Sequence, residues 1–256
     1  MINEILAIAR QAGDAILDIY ERDFTTSEKS DQSPLTEADL AAHEVIVAGL
    51  QALTPDVPVL SEESASISWE ERQQWSKYWL VDPLDGTKEF IKRNGEFTVN
   101  IALIEDHKAV MGVVYAPVLS RFYFADENGA FRQDQGSDAV RLTVATHEEG
   151  QVWNVVASRS HMSDETKAFI EKLRVCELVS MGSSLKLCLV AEGAADVYPR
   201  FALTSEWDTA AAQCVVECAG GRVVTPAFEP LLYNTKDSLL NSFFIVCGDC
   251  AGKIRG

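Results

Sequence analysis

Apolar residues recur at helical spacing from the start of the chain, at Ile2, Ile5, Leu6, Ala9, Ala12, Ile16, Ile19 and Tyr20. This spacing predicts an amphipathic helix over residues 2–20. A second helix is predicted after Thr36, a residue suited to an N-cap, because apolar residues follow at Leu40, Ile46, Val47, Leu50 and Leu53. The polar segment between the two helices, residues 25–34, is rich in Ser, Thr and Asp and predicts a flexible loop.

Short apolar runs separated by turn signals follow and predict a β-sheet. They span residues 57–60, 78–81, 97–104, 110–115 and 121–125, and Asn128-Gly129 is a hairpin signal before Phe131. We expect an antiparallel meander over the last three of these runs and the hairpin. Carboxylates lie at the C-terminal ends of the first two runs, Glu62-Glu63 after the first and Asp82 after the second, which suggests strands that lead into a site.

The pattern changes near residue 150 into an alternation of strands and helices. Strands are predicted at residues 153–157 and 178–181, and helices from Ser163, from Ser183 and over residues 208–219. Such alternation is typical of an α/β unit. We therefore expect two lobes, residues 1–150 with the antiparallel sheet and residues 151–256 with the second α/β layer.

Composition and charge narrow the class of protein. The 256 residues are 47% apolar, and 39 acidic against 22 basic side chains give a net charge of −17. This charge would repel a nucleic-acid polymer, whereas a small anionic substrate can still bind where a divalent ion reverses the local potential. No apolar stretch predicts a transmembrane segment, no secretion signal is evident, and the six cysteines do not form a disulfide framework. A cytoplasmic location is expected.

The segment from Asp82 to Thr87, Asp-Pro-Leu-Asp-Gly-Thr, is the most informative one. Two carboxylates three residues apart, with a backbone carbonyl between them, can bind hard divalent cations. Gly86 and Thr87 would offer free N–H groups to a phosphate at a helix start. An isolated segment of this kind is more often an Asp-Pro turn followed by an Asp N-cap.

Further motifs favour the chemical interpretation. They are Trp207-Asp208 and the segments at residues 34–39, 60–63 and 182–186. Together with residues 82–87, they resemble the inositol monophosphatase superfamily of Mg²⁺-dependent, lithium-sensitive phosphatases over nearly the whole chain. Lys88-Glu89-Phe90 and residues 79–100 are most similar to its bacterial 3′(2′),5′-bisphosphate nucleotidase branch. The resemblance implies a layered α/β/α/β/α sandwich.

The resemblance also implies a metal site and a catalytic pair. Glu62, Asp82 and the carbonyl of Leu84 would bind one Mg²⁺, and Asp82, Asp85 and Asp208 a second, with two or three ions in all. Asp39 would accept the hydroxyl hydrogen bond of Thr87 to activate the attacking water. Taken singly, Asp39 also suits a capping box, Glu62 a solvated acidic pair and Asp208 an N-cap.

Substrate contacts are implied as well, at Gly86, Thr87, Arg159, His161, Ser183, Ser184, Lys186, Arg200 and Asp208. Backbone N–H groups, hydroxyls and cations at these positions would bind phosphate groups. Each of the serines could instead be a helix cap, and each of the cations a solvated surface residue.

The expected reaction is hydrolysis of the 3′-phosphate of adenosine 3′,5′-bisphosphate to AMP and phosphate, in nucleotide recycling and sulfur metabolism. 3′-Phosphoadenosine 5′-phosphosulfate is a second expected substrate. The alternatives are an inositol or fructose bisphosphate phosphatase, a nucleotide or metal sensor without turnover, and a thiol redox protein based on Cys247 and Cys250. A homodimer and a peripheral position on the inner face of the cell membrane are left open.

Overall fold

The computed structural model describes residues 1–28, 34–157, 163–173, 175–248 and 254 of the chain. These residues form a seven-stranded sheet, a five-stranded sheet and a short hairpin. Helices pack on both faces of the larger sheet and between the two sheets, and one more helix packs on the outer side of the smaller sheet. This order of layers confirms the predicted α/β/α/β/α sandwich.

The first layer consists of helix α1 (Ile2–Tyr20) and helix α2 (Glu37–Leu53), which pack against each other and against the larger sheet. The helical periodicity has the expected result, because Ile5 and Ile16 of α1 and Ile46 of α2 are fully buried. Thr36 is the N-cap of α2, and its hydroxyl accepts a hydrogen bond from the N–H of Ala38. Both predicted helices are confirmed.

The segment between these helices differs from the prediction. Strand β1 (Thr26–Glu28) pairs in antiparallel fashion with strand β2 (Pro34–Thr36), so the loop predicted over residues 25–34 is wrong at both of its ends. The sequence did not predict this hairpin, because its strands are short and mostly polar and therefore lack the alternation of apolar residues that indicates a strand. Residues 29–33 lie outside the described part of the chain.

The larger sheet contains β3 (Val59–Ser61), β4 (Lys77–Asp85), β5 (Thr98–Glu105), β6 (Lys108–Ala116), β7 (Arg121–Asp126), β8 (Gly129–Asp134) and β9 (Val140–Arg141), in that spatial order. β3 is parallel to β4, and all later pairs are antiparallel. The predicted meander is therefore confirmed. Two short helices interrupt it, α3 (Trp69–Arg72) before β4 and α4 (Thr87–Ile91) after β4.

The second half contains β10 (Trp153–Ala157), α5 (Asp164–Lys172), β11 (Cys176–Ser180), α6 (Leu185–Ala191), β12 (Val197–Arg200), α7 (Ala210–Cys218), β13 (Arg222–Val224) and β14 (Phe244–Cys247). The spatial order of its sheet is β11-β10-β12-β14-β13. The N-cap of α5 is Ser163, as predicted, and the N-cap of α6 is Ser184, one residue after the predicted start. The alternation of strands and helices is confirmed.

The middle layer, α6 and α7, joins the two sheets. α7 packs against β5, β6 and β7 on one side and against β13 on the other. It approaches β6 closely, because Gly112 has no side chain: a Cβ there would lie 2.3 Å from the carbonyl oxygen of Ala211. The strands of the two sheets come from separate halves of the chain, but α7 packs on both, and the division into two lobes at residue 150 stays a prediction.

No helix in the described part of the chain has both the length and the apolar character needed to cross a membrane.

Candidate active site

Strand β4 carries two carboxylates near its C-terminal end, Asp82 and Asp85, and its pairing with β5 is irregular between them. The β4–β5 pairing shifts register between Asp82, which lies opposite Asn100, and Asp85, which lies opposite Thr98. Pro83 contributes to this shift, since it has no N–H for the ladder. Asp82 is 1% exposed, and its Oδ1 accepts a hydrogen bond from the N–H of Leu84 at 3.0 Å.

Gly86 provides the turn from β4 into α4. Its φ of +94° lies in the left-handed region, which favours glycine, and it is the N-cap of α4. A Cβ would also lie 3.2 Å from the carbonyl oxygen of Glu96. Asp85 and Thr87 are therefore held on the two sides of a turn that other residues would strain.

Two further carboxylates reach this end of β4 from distant segments. Glu62 begins a 3₁₀ turn directly after β3, which runs parallel to β4 with Ser61 opposite Val81. Asp208 ends another 3₁₀ turn, Glu206–Asp208, just before α7. The N–H of Ser205 donates to Asp208 Oδ2 at 2.9 Å in a capping box. The N-cap of α7 is Thr209, so the alternative of Asp208 as that N-cap is wrong.

Burial and the charges of neighbouring carboxylates raise the pKa values of Asp82, Asp85 and Asp208. Burial raises the pKa of Asp82 well above its ordinary value, and four other carboxylates raise it further, those of Glu62, Asp85, Asp208 and Asp39. Burial raises the pKa of Asp85 to about 6, against the opposing effects of Lys186 and of the Ser184 N–H. Burial, followed by the charge of Asp85, raises the pKa of Asp208 to about 8. The four side chains predicted as metal ligands thus lie close enough to interact strongly.

The donor set fits a hard divalent cation. Every donor in the cluster is an oxygen, the ligand type that Mg²⁺ prefers, and a cation would relieve the repulsion among the carboxylates. Within the described ranges, no three acidic, His or Cys side chains converge on one point as ligands of a bound ion do. Asp85 and Asp208 each use one oxygen for a backbone N–H, and the second oxygen remains for a cation.

Asp39 and Thr87 are in contact. The Thr87 hydroxyl donates to Asp39 Oδ1 at 3.2 Å, while Asp39 Oδ2 accepts from the N–H and the hydroxyl of Thr36 at 2.8 and 2.7 Å. Asp39 is 2% exposed. The sequence left two alternatives for Asp39, a capping box with Thr36 and a pairing with Thr87. The structure contains both, because Oδ2 bonds Thr36 and Oδ1 bonds Thr87.

A cavity of about 590 Å³ opens beside the cluster. Its lining includes most of the predicted substrate contacts, namely Gly86, Ser183, Ser184, Lys186, Arg200 and Asp208. Lys186 lies 5.9 Å from the ring centre of Tyr198, and burial lowers its pKa while the Asp85 carboxylate opposes that effect. Arg159 and His161 lie outside the described residues.

Ser184 lies deeper than a typical ligand contact, because it is 2% exposed. Its N–H donates to Asp85 Oδ2 at 2.5 Å, and its hydroxyl contacts Thr98 Oγ1 and Asn100 Oδ1 at 2.8 and 2.9 Å. Ser183 precedes it with a φ of +45° and faces the cavity. The predicted contact of Ser184 with substrate stays a prediction.

Some residues at the site were not predicted from the sequence. Lys88, Lys92 and Asn94 line the cavity from α4 and the loop after it, and Leu203 and Thr204 line it from the segment after β12. The spacing of four residues between the lysines was the available signal, since it places both on one face of a helix. This spacing points to the cavity only if the face of α4 that carries the two lysines is turned towards it, and the local sequence does not show which face that is.

Cys247, the described member of the cysteine pair suggested by the sequence, is not among the residues that line the cavity. Cys247 is fully buried in β14, where it packs with Val155, Val197 and Ile245. Cys250 is outside the described residues. A buried thiol among aliphatic side chains behaves as a small hydrophobe, so this observation gives no support to redox chemistry.

Comparison with known proteins agrees with this site. The model of the inositol monophosphatase family matches residues 1–246, so the chain belongs to that family. Its members are metal-dependent phosphatases, typically using Mg²⁺.

Several of the similar proteins are named CysQ. The chain is 51% identical to the 3′(2′),5′-bisphosphate nucleotidase CysQ of Salmonella typhimurium and 50% identical to that of Escherichia coli K12, over 96% of this chain and 99% of each relative. The crystal structure of CysQ from Bacteroides thetaiotaomicron matches with a TM-score of 0.83 and 46% identity, covering 96% of both chains.

Proposed function

We propose that this chain is a Mg²⁺-dependent phosphatase that hydrolyses the 3′-phosphate of adenosine 3′,5′-bisphosphate to AMP and phosphate. The main support is the buried Asp82, whose charge interacts with those of four other carboxylates, two of which, Asp85 and Asp208, line a cavity that is also lined by cations. The Salmonella relative, which is 51% identical to this chain, is named a 3′(2′),5′-bisphosphate nucleotidase. 3′-Phosphoadenosine 5′-phosphosulfate has the same 3′-phosphate and is proposed as a second substrate.

The metal ligands proposed here are those expected from the sequence. Glu62, Asp82 and the carbonyl of Leu84 would bind one Mg²⁺. Asp82, Asp85 and Asp208 would bind another, with two or three ions during turnover. Bound Mg²⁺ would supply positive charge for the oxygens that gain negative charge during phosphoryl transfer.

Thr87 and Asp39 would orient the attacking water. Because the Thr87 hydroxyl donates to Asp39 Oδ1, its lone pairs remain able to accept a hydrogen bond from water. The water oxygen would form a bond to phosphorus while the ester bond breaks in line. The attacking water would give up one proton to the Thr87–Asp39 pair, and the leaving ribose oxygen would take up one proton from solvent water. Asp39 suits this role because Thr36 fixes its second oxygen.

The rest of the cavity would bind the nucleotide. Lys186 and Arg200 offer positive charge, and Ser183 offers a hydroxyl group. Gly86 and Thr87 would present backbone N–H groups to the reacting phosphate. Ser184, Arg159 and His161 remain proposed contacts.

The substrate assignment can be tested by comparing phosphate release from three compounds in the presence of Mg²⁺. They are adenosine 3′,5′-bisphosphate, inositol 1-phosphate and fructose 1,6-bisphosphate. We expect the adenosine compound to have the highest kcat/KM. The assignment is wrong if that compound is the poorest substrate, and Mg²⁺-dependent binding without phosphate release would instead indicate a sensor.

A further inference from the structure

Two lysines on the cavity wall have no evident structural purpose. Lys88 lies in α4 and Lys92 is its C-cap; both side chains are exposed and both line the cavity. Neither forms an ion pair with another described residue, whereas Lys77 pairs with Glu105 at 2.6 Å and Lys167 with Asp164 at 2.9 Å.

Arg93, the residue after Lys92, is a cation of the same segment that has a structural role. Arg93 donates to the carbonyl oxygens of Tyr20 and Arg22 and lies 5.3 Å from the ring centre of Phe24. It therefore fastens the end of α4 to the segment after α1. Lys88 and Lys92 make no comparable contacts with the described residues, and both line the cavity.

The charge balance of the cavity favours an anion beyond the reacting phosphate. Among the described residues, four cations line it, Lys88, Lys92, Lys186 and Arg200, in a chain whose net charge is −17. Of the described residues that line the cavity, the acidic ones are the proposed metal ligands Asp85 and Asp208 and, besides them, Glu89. An excess of cations in a concave site raises the local concentration of anions.

The geometry of α4 places the two lysines at increasing distance from the carboxylates. Residues four apart lie on one face of a helix, and a rise of about 1.5 Å per residue puts Lys92 about 6 Å beyond Lys88. α4 begins two residues after Asp85, at the carboxylate end of the cavity. The lysines therefore line a path that leads outward from the proposed site of hydrolysis.

We infer that Lys88 and Lys92 bind the second phosphate of the substrate, the one that is not hydrolysed, and so select bisphosphates over monophosphates. This inference rests on the proposed function. A contact to a distant phosphate is the same before and during the reaction, so it contributes to KM rather than to kcat. Charge-assisted bonds of this kind are worth enough to change KM roughly tenfold when both are removed.

The test compares adenosine 3′,5′-bisphosphate with adenosine 3′-monophosphate as substrates. The proteins are the parent chain, Lys88→Gln/Lys92→Gln, the charge-preserving Lys88→Arg/Lys92→Arg, and the control Lys172→Gln. Lys172 is exposed at the end of α5 and is not among the cavity-lining residues. The measured quantity is the ratio of kcat/KM for the bisphosphate to kcat/KM for the monophosphate.

We expect the parent chain, the arginine variant and the control to prefer the bisphosphate, and the ratio for the glutamine variant to fall roughly tenfold through KM, since charge-assisted bonds are lost. If the parent prefers the bisphosphate and the glutamine variant keeps the same ratio, the inference is wrong and the proposed function stands. If the parent does not hydrolyse the bisphosphate, the proposed function fails and the inference fails with it.

Discussion

The backbone N–H of Ser184 donates a hydrogen bond to Oδ2 of Asp85 at 2.5 Å, although 99 residues separate them in the chain. The hydroxyl of Ser184 contacts Thr98 and Asn100, which lie opposite Asp85 and Asp82 in the β4–β5 pair. One buried serine from the second half of the chain thus contacts Asp85 of β4, which holds three of the proposed metal ligands, and two residues of the neighbouring strand β5. Its geometry suits a positioning residue.

Ser184→Ala keeps the N–H but removes the hydroxyl. Thr98 and the Asn100 oxygen would lose a partner in a buried place, so we expect the free energy of unfolding to fall by about 1–3 kcal/mol. We also expect the Mg²⁺ concentration for half-maximal activity to rise several-fold, because Asp85 is held less firmly. Urea unfolding and Mg²⁺ titration of activity would measure the two effects.

The matched control is Ser137→Ala, which removes an exposed hydroxyl in the turn after β8. It should change neither quantity. If Ser184→Ala instead raised KM for the nucleotide and left the Mg²⁺ requirement unchanged, Ser184 would be a substrate contact, as expected from the sequence, and not a positioning residue.

Local patterns were sufficient for most of the fold. The helical spacing from Ile2 to Tyr20 and the alternating runs of the meander are set by interactions among neighbours in the chain, so sequence alone predicted them. The hairpin of β1 and β2 was missed because it is short and polar. The layered order of the elements came from resemblance rather than from periodicity.

The connections at the site could be predicted only in part. Motifs identified Asp82, Asp85 and Asp208, but no local signal shows that Ser184 bonds Asp85, or that Arg72 bonds Asn234 across 162 residues. Such contacts depend on how whole layers pack together. For the same reason, the sequence did not show that Lys88 and Lys92 of α4 line the cavity.

Thr87→Ala should lower kcat about 10²–10⁴-fold, the usual size of a general acid–base contribution, with a smaller change in KM. Thr87→Ser keeps the hydroxyl that donates to Asp39, so it should retain much of the activity. Steady-state kinetics with adenosine 3′,5′-bisphosphate would measure both. An effect of Thr87→Ala on KM alone would contradict the proposed pairing.

Asp39→Ala should lower both activity and stability, because Asp39 takes part in two structures. Loss of its bonds to the N–H and hydroxyl of Thr36 removes the capping box of α2, which is worth about 0.5–2 kcal/mol. Thr87→Ala removes no cap and should unfold at nearly the parent urea concentration. Equal stability of the two variants would show that the capping box contributes little here.

Asp85→Asn should nearly abolish turnover while the protein remains folded. The amide oxygen can still accept the hydrogen bond from Ser184, but the charge that would bind Mg²⁺ is lost. Thermal unfolding with and without Mg²⁺ gives a readout besides activity: the parent should be stabilised by Mg²⁺, and the variant much less. Asp56→Asn, an exposed carboxylate after α2, is the control and should behave as the parent does.

The metal-free protein should lose stability as pH rises. The folded-state pKa values of Asp85 and Asp208, about 6 and about 8, lie above the ordinary value of 3.8. The folded state therefore holds more protons than the unfolded state, and the free energy of unfolding falls from about pH 4 to pH 8. Mg²⁺ should restore more stability at pH 8 than at pH 5. Unfolding temperatures in a chelator that are flat over this range would contradict the carboxylate cluster.

Arg72 stabilises the turn that ends in Asp208. Arg72 is 2% exposed and donates to Asn234 Oδ1 at 2.8 Å and to the carbonyl oxygen of Lys236 at 3.1 Å. The N–H of Asn234 in turn donates to Glu206 at 2.9 Å, two residues before Asp208. Burial raises the pKa of Glu206 to about 7, and the Asn234 N–H and the charge of Arg72 oppose this rise.

Arg72→Met should therefore lower the free energy of unfolding by roughly 1–3 kcal/mol, because the buried Oδ1 of Asn234 loses its charged donor, and raise the Mg²⁺ requirement through Asp208. Part of this loss arises because the Glu206 carboxylate no longer has the charge of Arg72 nearby. The double variant Arg72→Met/Glu206→Gln should therefore lose less unfolding free energy than the sum of the losses in the two single variants. Urea unfolding of all four proteins measures this coupling. Strict additivity would mean that Arg72 anchors the segment at Asn234 without stabilising Glu206.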